Sequence, residues 1–167
     1  MFQTFISRIG WFVALWLLQV LVFNHVHIFG YATPMPYVYL LLIFPGDTPR
    51  WVYVLTGFLM GLLIDLFAST PGMAAASMTL AGLLAPLFMN LFAPTDREDE
   101  AFLPSRKTMK WGGFLRFALC TSFVHCLCFF LLEAFSFFDT EVLLINIAGS
   151  TLLTTVFIAA LELIRER

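Results

Sequence analysis

Charged residues are scarce in this sequence. Only 12% of its 167 residues are Asp, Glu, Lys or Arg, whereas an ordinary soluble domain has about 25%. Hydrophobic residues make up 60% of the chain, and the mean hydropathy is +0.91. A compact globule of this composition would expose apolar side chains over most of its outside, which only lipid accommodates. The sequence therefore predicts one integral-membrane domain over residues 1–167, with no room for a separate soluble domain.

Residues that could take part in catalysis or metal binding are also few. The three cysteines, Cys120, Cys126 and Cys128, lie in one apolar stretch, where we expect packed thiols rather than disulfides. His125 beside them is interpreted as core packing rather than as a metal ligand, because no second ligand cluster exists. Neither Ser-x-x-Lys nor His-Glu-x-x-His occurs, and the net charge of −2 does not indicate a nucleic-acid partner. We therefore expect no catalytic residues, cofactor or metal.

Six apolar stretches alternate with polar or proline-rich breaks. They cover residues 9–29, 35–44, 51–68, 73–92, 112–135 and 142–164. The second stretch would rise only about 15 Å as a helix, half of the roughly 30 Å hydrocarbon core. It is therefore a short tilted span, a broken helix or a re-entrant turn. The fold class predicted is an all-α, multi-pass membrane protein with six spans, or five if the second stretch does not cross.

The positions of the basic residues favour six crossings. With both termini in the cytoplasm, all nine Lys and Arg fall on the cytoplasmic side, as the positive-inside rule expects. Five crossings would misplace only Arg8. The loop 93–111 would be cytoplasmic, with its acidic half in water and its basic half and Trp111 on the inner leaflet.

Small and polar residues recur at spacings of four and predict helix contacts. Gly57, Gly61 and Asp65 share one face of the third stretch, where the glycines let another helix approach closely. The short turn that ends at Gly72 makes the next helix an antiparallel neighbour. Its matching row of small residues is Ser77, Ala81 and Ala85. In the last stretch, a row of Asn146, Ser150 and Thr154 predicts hydrogen bonds between helices.

Asp65 needs a partner, because a carboxylate at the centre of a span costs about 2.5–3.5 kcal/mol on insertion scales. Candidates within the chain are Asn24, His25 and His27, or the free backbone N–H groups that follow Gly72. Two interpretations stay open. Asp65 is either bonded within the bundle, for example as the cap of the next helix, or it contacts a partner protein.

The run LQVLVFNHVHIFGYATP at residues 18–34, followed by the Gly57, Gly61, Asp65 and Gly72 pattern, resembles the rod shape-determining protein MreD family, particularly its Bacteroidetes members. That resemblance implies a fold like the six-helix substrate-binding subunits of energy-coupling-factor transporters. It also implies a non-enzymatic subunit of the cell-elongation machinery in the bacterial cytoplasmic membrane. Its partners would be an MreC-like bitopic protein and, through it, MreB, RodA and penicillin-binding protein 2. Many family members carry Asp after the proline that opens the second span, so a role of that acid does not transfer to Tyr37.

Three classes of function follow from these observations. A scaffold is favoured, since few polar groups converge in the sequence. The alternative is a small-molecule, vitamin-like substrate-binding subunit of a transporter, whose pocket would draw on Asn24, His25, Asp65 and Glu133. An intramembrane enzyme has the least support, because the sequence offers neither a nucleophile with its base nor a metal cluster.

Overall fold

The computed structural model describes residues 2–23, 32–94, 102–134 and 140–165, with side chains from Arg8 onward. The regular elements in these ranges are helices: α1 (Phe2–Leu21), a 3-10 turn (Pro36–Val38), α2 (Tyr39–Leu42), α3 (Arg50–Ala68), α4 (Met73–Phe92), α5 (Arg106–Ala134) and α6 (Thr140–Arg165).

Four of these helices, α3 to α6, are long and apolar enough to cross a membrane, and α1 contributes a shorter apolar stretch, Arg8–Leu21. Large apolar side chains point outward from all of them, such as Leu66 and Leu91. Side chains of this kind are stable on the outside only in contact with lipid. The prediction of an all-helical, multi-pass membrane protein is confirmed, while the count of six crossings stays a prediction.

The helix bounds follow the apolar stretches with two differences. Helix α4 covers the predicted range 73–92, whereas α5 begins at Arg106, inside the segment expected to be a loop. Helix α1 begins at Phe2 and ends at Leu21, ahead of the predicted end at residue 29, and residues 24–31 lie outside the described part.

The connection between α3 and α4 is tight. Ser69 ends α3 in the left-handed conformation, with φ of 57°, and Gly72 has φ of 83°. A residue without a Cβ atom adopts that second angle without strain. The chain therefore reverses within a few residues and returns as α4 alongside α3.

The second apolar stretch forms a central segment, residues 35–44, every residue of which is buried. A 3-10 turn that begins at Pro36 is followed by a single turn of α-helix that ends at Leu42. Helices α1, α3, α4, α5 and α6 all contact this segment. The stretch is thus a short helical segment, and whether it crosses the membrane stays a prediction. The apolar side chains of this segment pack inside the protein and do not contact lipid.

One end of the bundle is tied together by loop contacts. The Arg165 guanidinium, at the end of α6, donates a hydrogen bond of 3.0 Å to the Pro104 carbonyl. The Gly46 N–H donates one of 2.7 Å to the Phe102 carbonyl. The end of α6, the segment before α5 and the exit of the central segment therefore meet at the same end.

Candidate functional site

Two glycines of α3 lie directly against the backbone of α4. A Cβ atom on Gly57 would stand 2.6 Å from the Met78 carbonyl oxygen, and one on Gly61 would overlap the Ala74 carbonyl. Gly82 does the same from the α4 side, 2.6 Å from the Tyr53 carbonyl oxygen. No side chain fits at these three positions, so the predicted helix-packing role of Gly57 and Gly61 agrees with their surroundings.

The row of α4 that meets these glycines differs from the predicted one. The contacts involve Ala74, Met78 and Gly82, whereas the expected row was Ser77, Ala81 and Ala85. That expectation was wrong in register. Helix α4 packs against both α3 and α5, so small residues are buried on more than one of its faces. The spacing alone did not identify the face turned towards α3.

Asp65 is buried, with 5% of its surface exposed, and accepts three hydrogen bonds from its own chain. Its Oδ1 accepts from the Thr70 hydroxyl at 2.8 Å and from the Ala74 N–H at 2.9 Å. Its Oδ2 accepts from the Ala75 N–H, also at 2.9 Å. The N-cap residue of α4 is Gly72, which has no side chain to cap the helix. Asp65 supplies that cap from the preceding helix, at the positive end of the α4 dipole.

This geometry agrees with the capping interpretation of Asp65. Gly57, Gly61 and Asp65 all face α4, and Gly72 lies in the turn between the two helices. The other two candidates, Asn24 and His25, lie outside the described residues.

A second polar centre joins the central segment to α5. The Tyr37 hydroxyl and the His125 Nε2 lie 2.8 Å apart, both buried, and the two rings meet edge to face at 5.1 Å. The sequence interpretation of His125 as a core residue did not include this partner. The residues are separated by 88 positions, and nothing local in the sequence connects them.

A third polar centre, which the sequence analysis missed, surrounds Glu162 of α6. Its carboxylate is completely buried and accepts hydrogen bonds from the Tyr39 hydroxyl at 2.5 Å and from the Arg106 N–H at 3.2 Å. Arg165 forms an ion pair with it at 3.3 Å. Buried carboxylates are stable only when paired in this way. Glu162 lies eight residues after Thr154, on the same row of α6, and this spacing is the sequence signal that points to it.

Two members of the polar row of α6, Ser150 and Thr154, bind backbone groups of the chain before the 3-10 turn. Ser150 Oγ accepts from the Thr33 N–H at 3.0 Å, and Thr154 Oγ1 accepts from the Met35 N–H at 3.0 Å. A non-helical backbone inside a membrane protein needs such partners, since no water is present to supply them. The row predicted to join helices thus fixes the position of the central segment along α6.

An apolar groove of about 590 Å³ runs between α3 and α4 on their outer side. Phe58 and Leu62 line one wall, and Ala76, Thr79 and Leu80 line the other. Among the described residues, no three His, Cys, Asp or Glu side chains are grouped so that they could hold a metal ion.

The fold and these contacts define the class of the protein, a membrane-embedded helical bundle built around a buried central segment. In comparisons with known proteins, no family model, no curated protein and no solved structure matches the chain.

Proposed function

We propose that this chain is a non-enzymatic scaffold subunit of the cell-elongation complex in the bacterial cytoplasmic membrane. The observation that carries the proposal is the way in which Asp65 is bonded. Asp65 is the acid inside a span that most suggests a chemical role, yet both of its carboxylate oxygens accept hydrogen bonds from donors of its own chain. Glu162 is likewise engaged by groups within the bundle. A protein whose buried acids stabilise its own fold is suited to binding other proteins through its outer surface.

The resemblance of residues 18–34 and of the Gly57-to-Gly72 pattern to the MreD family supplies the partners. They would be an MreC-like bitopic protein and, through it, MreB, RodA and penicillin-binding protein 2. In this role the chain would help to maintain cell shape by coupling these proteins to peptidoglycan synthesis.

The groove between α3 and α4 is the surface that we assign to such a contact. It combines apolar walls with the small residues Ala75, Ala76 and Thr79. Small residues allow a neighbouring transmembrane helix to approach closely, which is how helices recognise each other in lipid.

Photocrosslinking from the groove tests this proposal. A photoreactive side chain at Leu80, in the groove, should capture a bitopic membrane protein in living cells. The matched control is Leu152 of α6, which is 61% exposed and lies outside the groove, and it should capture lipid or little else. Crosslinks to MreC-like protein from Leu80 alone would support both the scaffold and the surface. A vitamin-like molecule that stays bound through purification, with no crosslinked protein, would favour the transporter alternative instead.

A further inference from the structure

The start of α5 presents an exposed basic surface, formed by Lys110, Trp111, Gly112 and Arg116. We call these four residues the α5 basic surface. At Lys110 the helix is interrupted, since this residue has φ of 57° and ψ of 159°. Met109, just before it, is 3% exposed and anchors the first turn in the core. The interruption therefore separates an anchored first turn from the long helix that follows.

Arg116 and Gly112 lie on the same outward face of α5, four residues apart. Side chains on a helix lean towards its N-terminus, so the aliphatic stem of Arg116 runs towards Gly112. Nothing lies within 4 Å of the place where a Cβ atom of Gly112 would be. The guanidinium therefore has open space beside Gly112 in which to approach the level of Lys110. A charged group inside a span is tolerated when it can reach the headgroup layer in this way.

The charge of this surface is not neutralised by the described part of the chain. Neither Lys110 nor Arg116 has an ion pair with a described carboxylate. Glu162, whose carboxylate reaches the start of α5, is buried and is already bonded to the Arg106 N–H and to Arg165. The Arg106 guanidinium stands 5.8 Å from the centre of the Trp111 ring. Tryptophan prefers the membrane interface, so the indole places this cluster at the depth of the headgroups.

We infer that the α5 basic surface binds the phosphate of an anionic phospholipid, in the leaflet at the end of the bundle where α3 and α5 begin. Charge complementarity selects the headgroup, because Lys110 and Arg116 would flank the phosphate above the open position of Gly112. The inference goes beyond the scaffold role and does not depend on it, since lipid binding is measured on the purified chain.

The test is lipid selection by purified protein, measured by native mass spectrometry after exposure to equimolar phosphatidylglycerol and phosphatidylcholine. The wild type should retain phosphatidylglycerol in preference. Lys110→Gln and Arg116→Gln should each lower that preference more than about fivefold, which is the usual effect of one basic residue at an anionic membrane surface. Arg50→Gln removes another exposed cation, at the start of α3, and should lower the preference by no more than this general effect. An equal loss in all three variants would mean general charge attraction and would overturn the site.

A second pair of variants tests the open space at Gly112. A Cβ atom at Gly112 would have nothing within 4 Å, so Gly112→Leu should keep the thermal stability of the wild type while its preference for phosphatidylglycerol is lost. The control is Gly10→Leu, at another exposed helical glycine with nothing within 4 Å, and it should keep the preference. Retained selectivity in Gly112→Leu would contradict the inference. Stabilisation by inorganic phosphate alone, to the same extent as by phosphatidylglycerol, would show a site for free anions instead of lipid.

Discussion

The Tyr39 hydroxyl donates a hydrogen bond of 2.5 Å to Oε2 of Glu162, a residue 123 positions further along the chain. Glu162 has no exposed surface. The Arg165 guanidinium lies over the Tyr39 ring, 6.0 Å from its centre, and Trp11 packs edge to face against the same ring at 5.5 Å. Tyr39 thereby connects α1, the central segment and the end of α6.

Removal of this hydroxyl should destabilise the bundle. Tyr39→Phe leaves one oxygen of a buried carboxylate without its donor, a loss of about 1–3 kcal/mol. The control is Tyr53→Phe, at another buried tyrosine whose hydroxyl has only longer bonds, of 3.3 and 3.5 Å to backbone carbonyls and 4.0 Å to the Met89 sulfur. Thermal unfolding in detergent should show a clearly lower midpoint for Tyr39→Phe than for Tyr53→Phe. Equal midpoints would mean that Arg106 and Arg165 satisfy Glu162 by themselves.

Asparagine should be a poor substitute for Asp65. Both carboxylate oxygens accept hydrogen bonds. In Asn, an amide nitrogen replaces one of these oxygens, and this nitrogen is a donor that would face another donor. We expect Asp65→Asn to cost about 0.5–2 kcal/mol, the range for loss of a helix cap. Asp47→Asn, at an exposed aspartate, is the control and should be neutral. If instead Asp65→Asn keeps its unfolding midpoint and loses a co-purifying partner, the carboxylate belongs to a protein contact.

A single methyl group at Gly61 should disturb the pairing of α3 with α4. The added Cβ atom would overlap the backbone of Ala74 and Ala75, so the helices must separate or the fold must shift. We expect Gly61→Ala to lower the yield of monodisperse protein and to destabilise it by about 1–3 kcal/mol, as overpacking does. Gly10→Ala is the matched control, because that position is open. Wild-type behaviour of Gly61→Ala would indicate that the two helices lie further apart.

Arg8 and Arg165 should be on the same side of the membrane. Arg8 lies over the Phe44 ring at 5.7 Å, and Arg165 contacts Tyr39 of the same central segment. Single cysteines introduced at both positions should be protected from a membrane-impermeant thiol reagent in intact cells and should react after lysis. Labelling of position 8 alone in intact cells would favour five crossings over six.

The sequence predicted the features whose causes are local. The range of α4 follows from an apolar run that begins after the Gly72 turn, and the cap at Asp65 was one of two interpretations that local geometry allowed. The Gly57 and Gly61 contacts follow from spacing on one helix. In each case the residues that interact are within about one helical hairpin of each other.

The missed features depend on residues far apart in the chain. Tyr37 and Tyr39 looked like ordinary aromatic residues of a short apolar stretch, because their partners His125 and Glu162 belong to α5 and α6. The apolar stretch around a tyrosine indicates that the residue is buried, but it does not indicate which distant polar group bonds to the hydroxyl.

The central segment has a consequence for the order in which the protein can be built. Hydrogen bonds from this segment, and from Thr33 just before it, to Ser150, Thr154, His125 and Glu162 join positions 88 to 123 residues apart. During synthesis, residues 33–39 therefore leave the ribosome long before any of these partners exist. The backbone groups of Thr33 and Met35 cannot stay in lipid without acceptors, so this segment reaches its final place only after α5 and α6 have been inserted. The part of the chain that lies at the centre of the finished bundle is thus among the last to be fixed there.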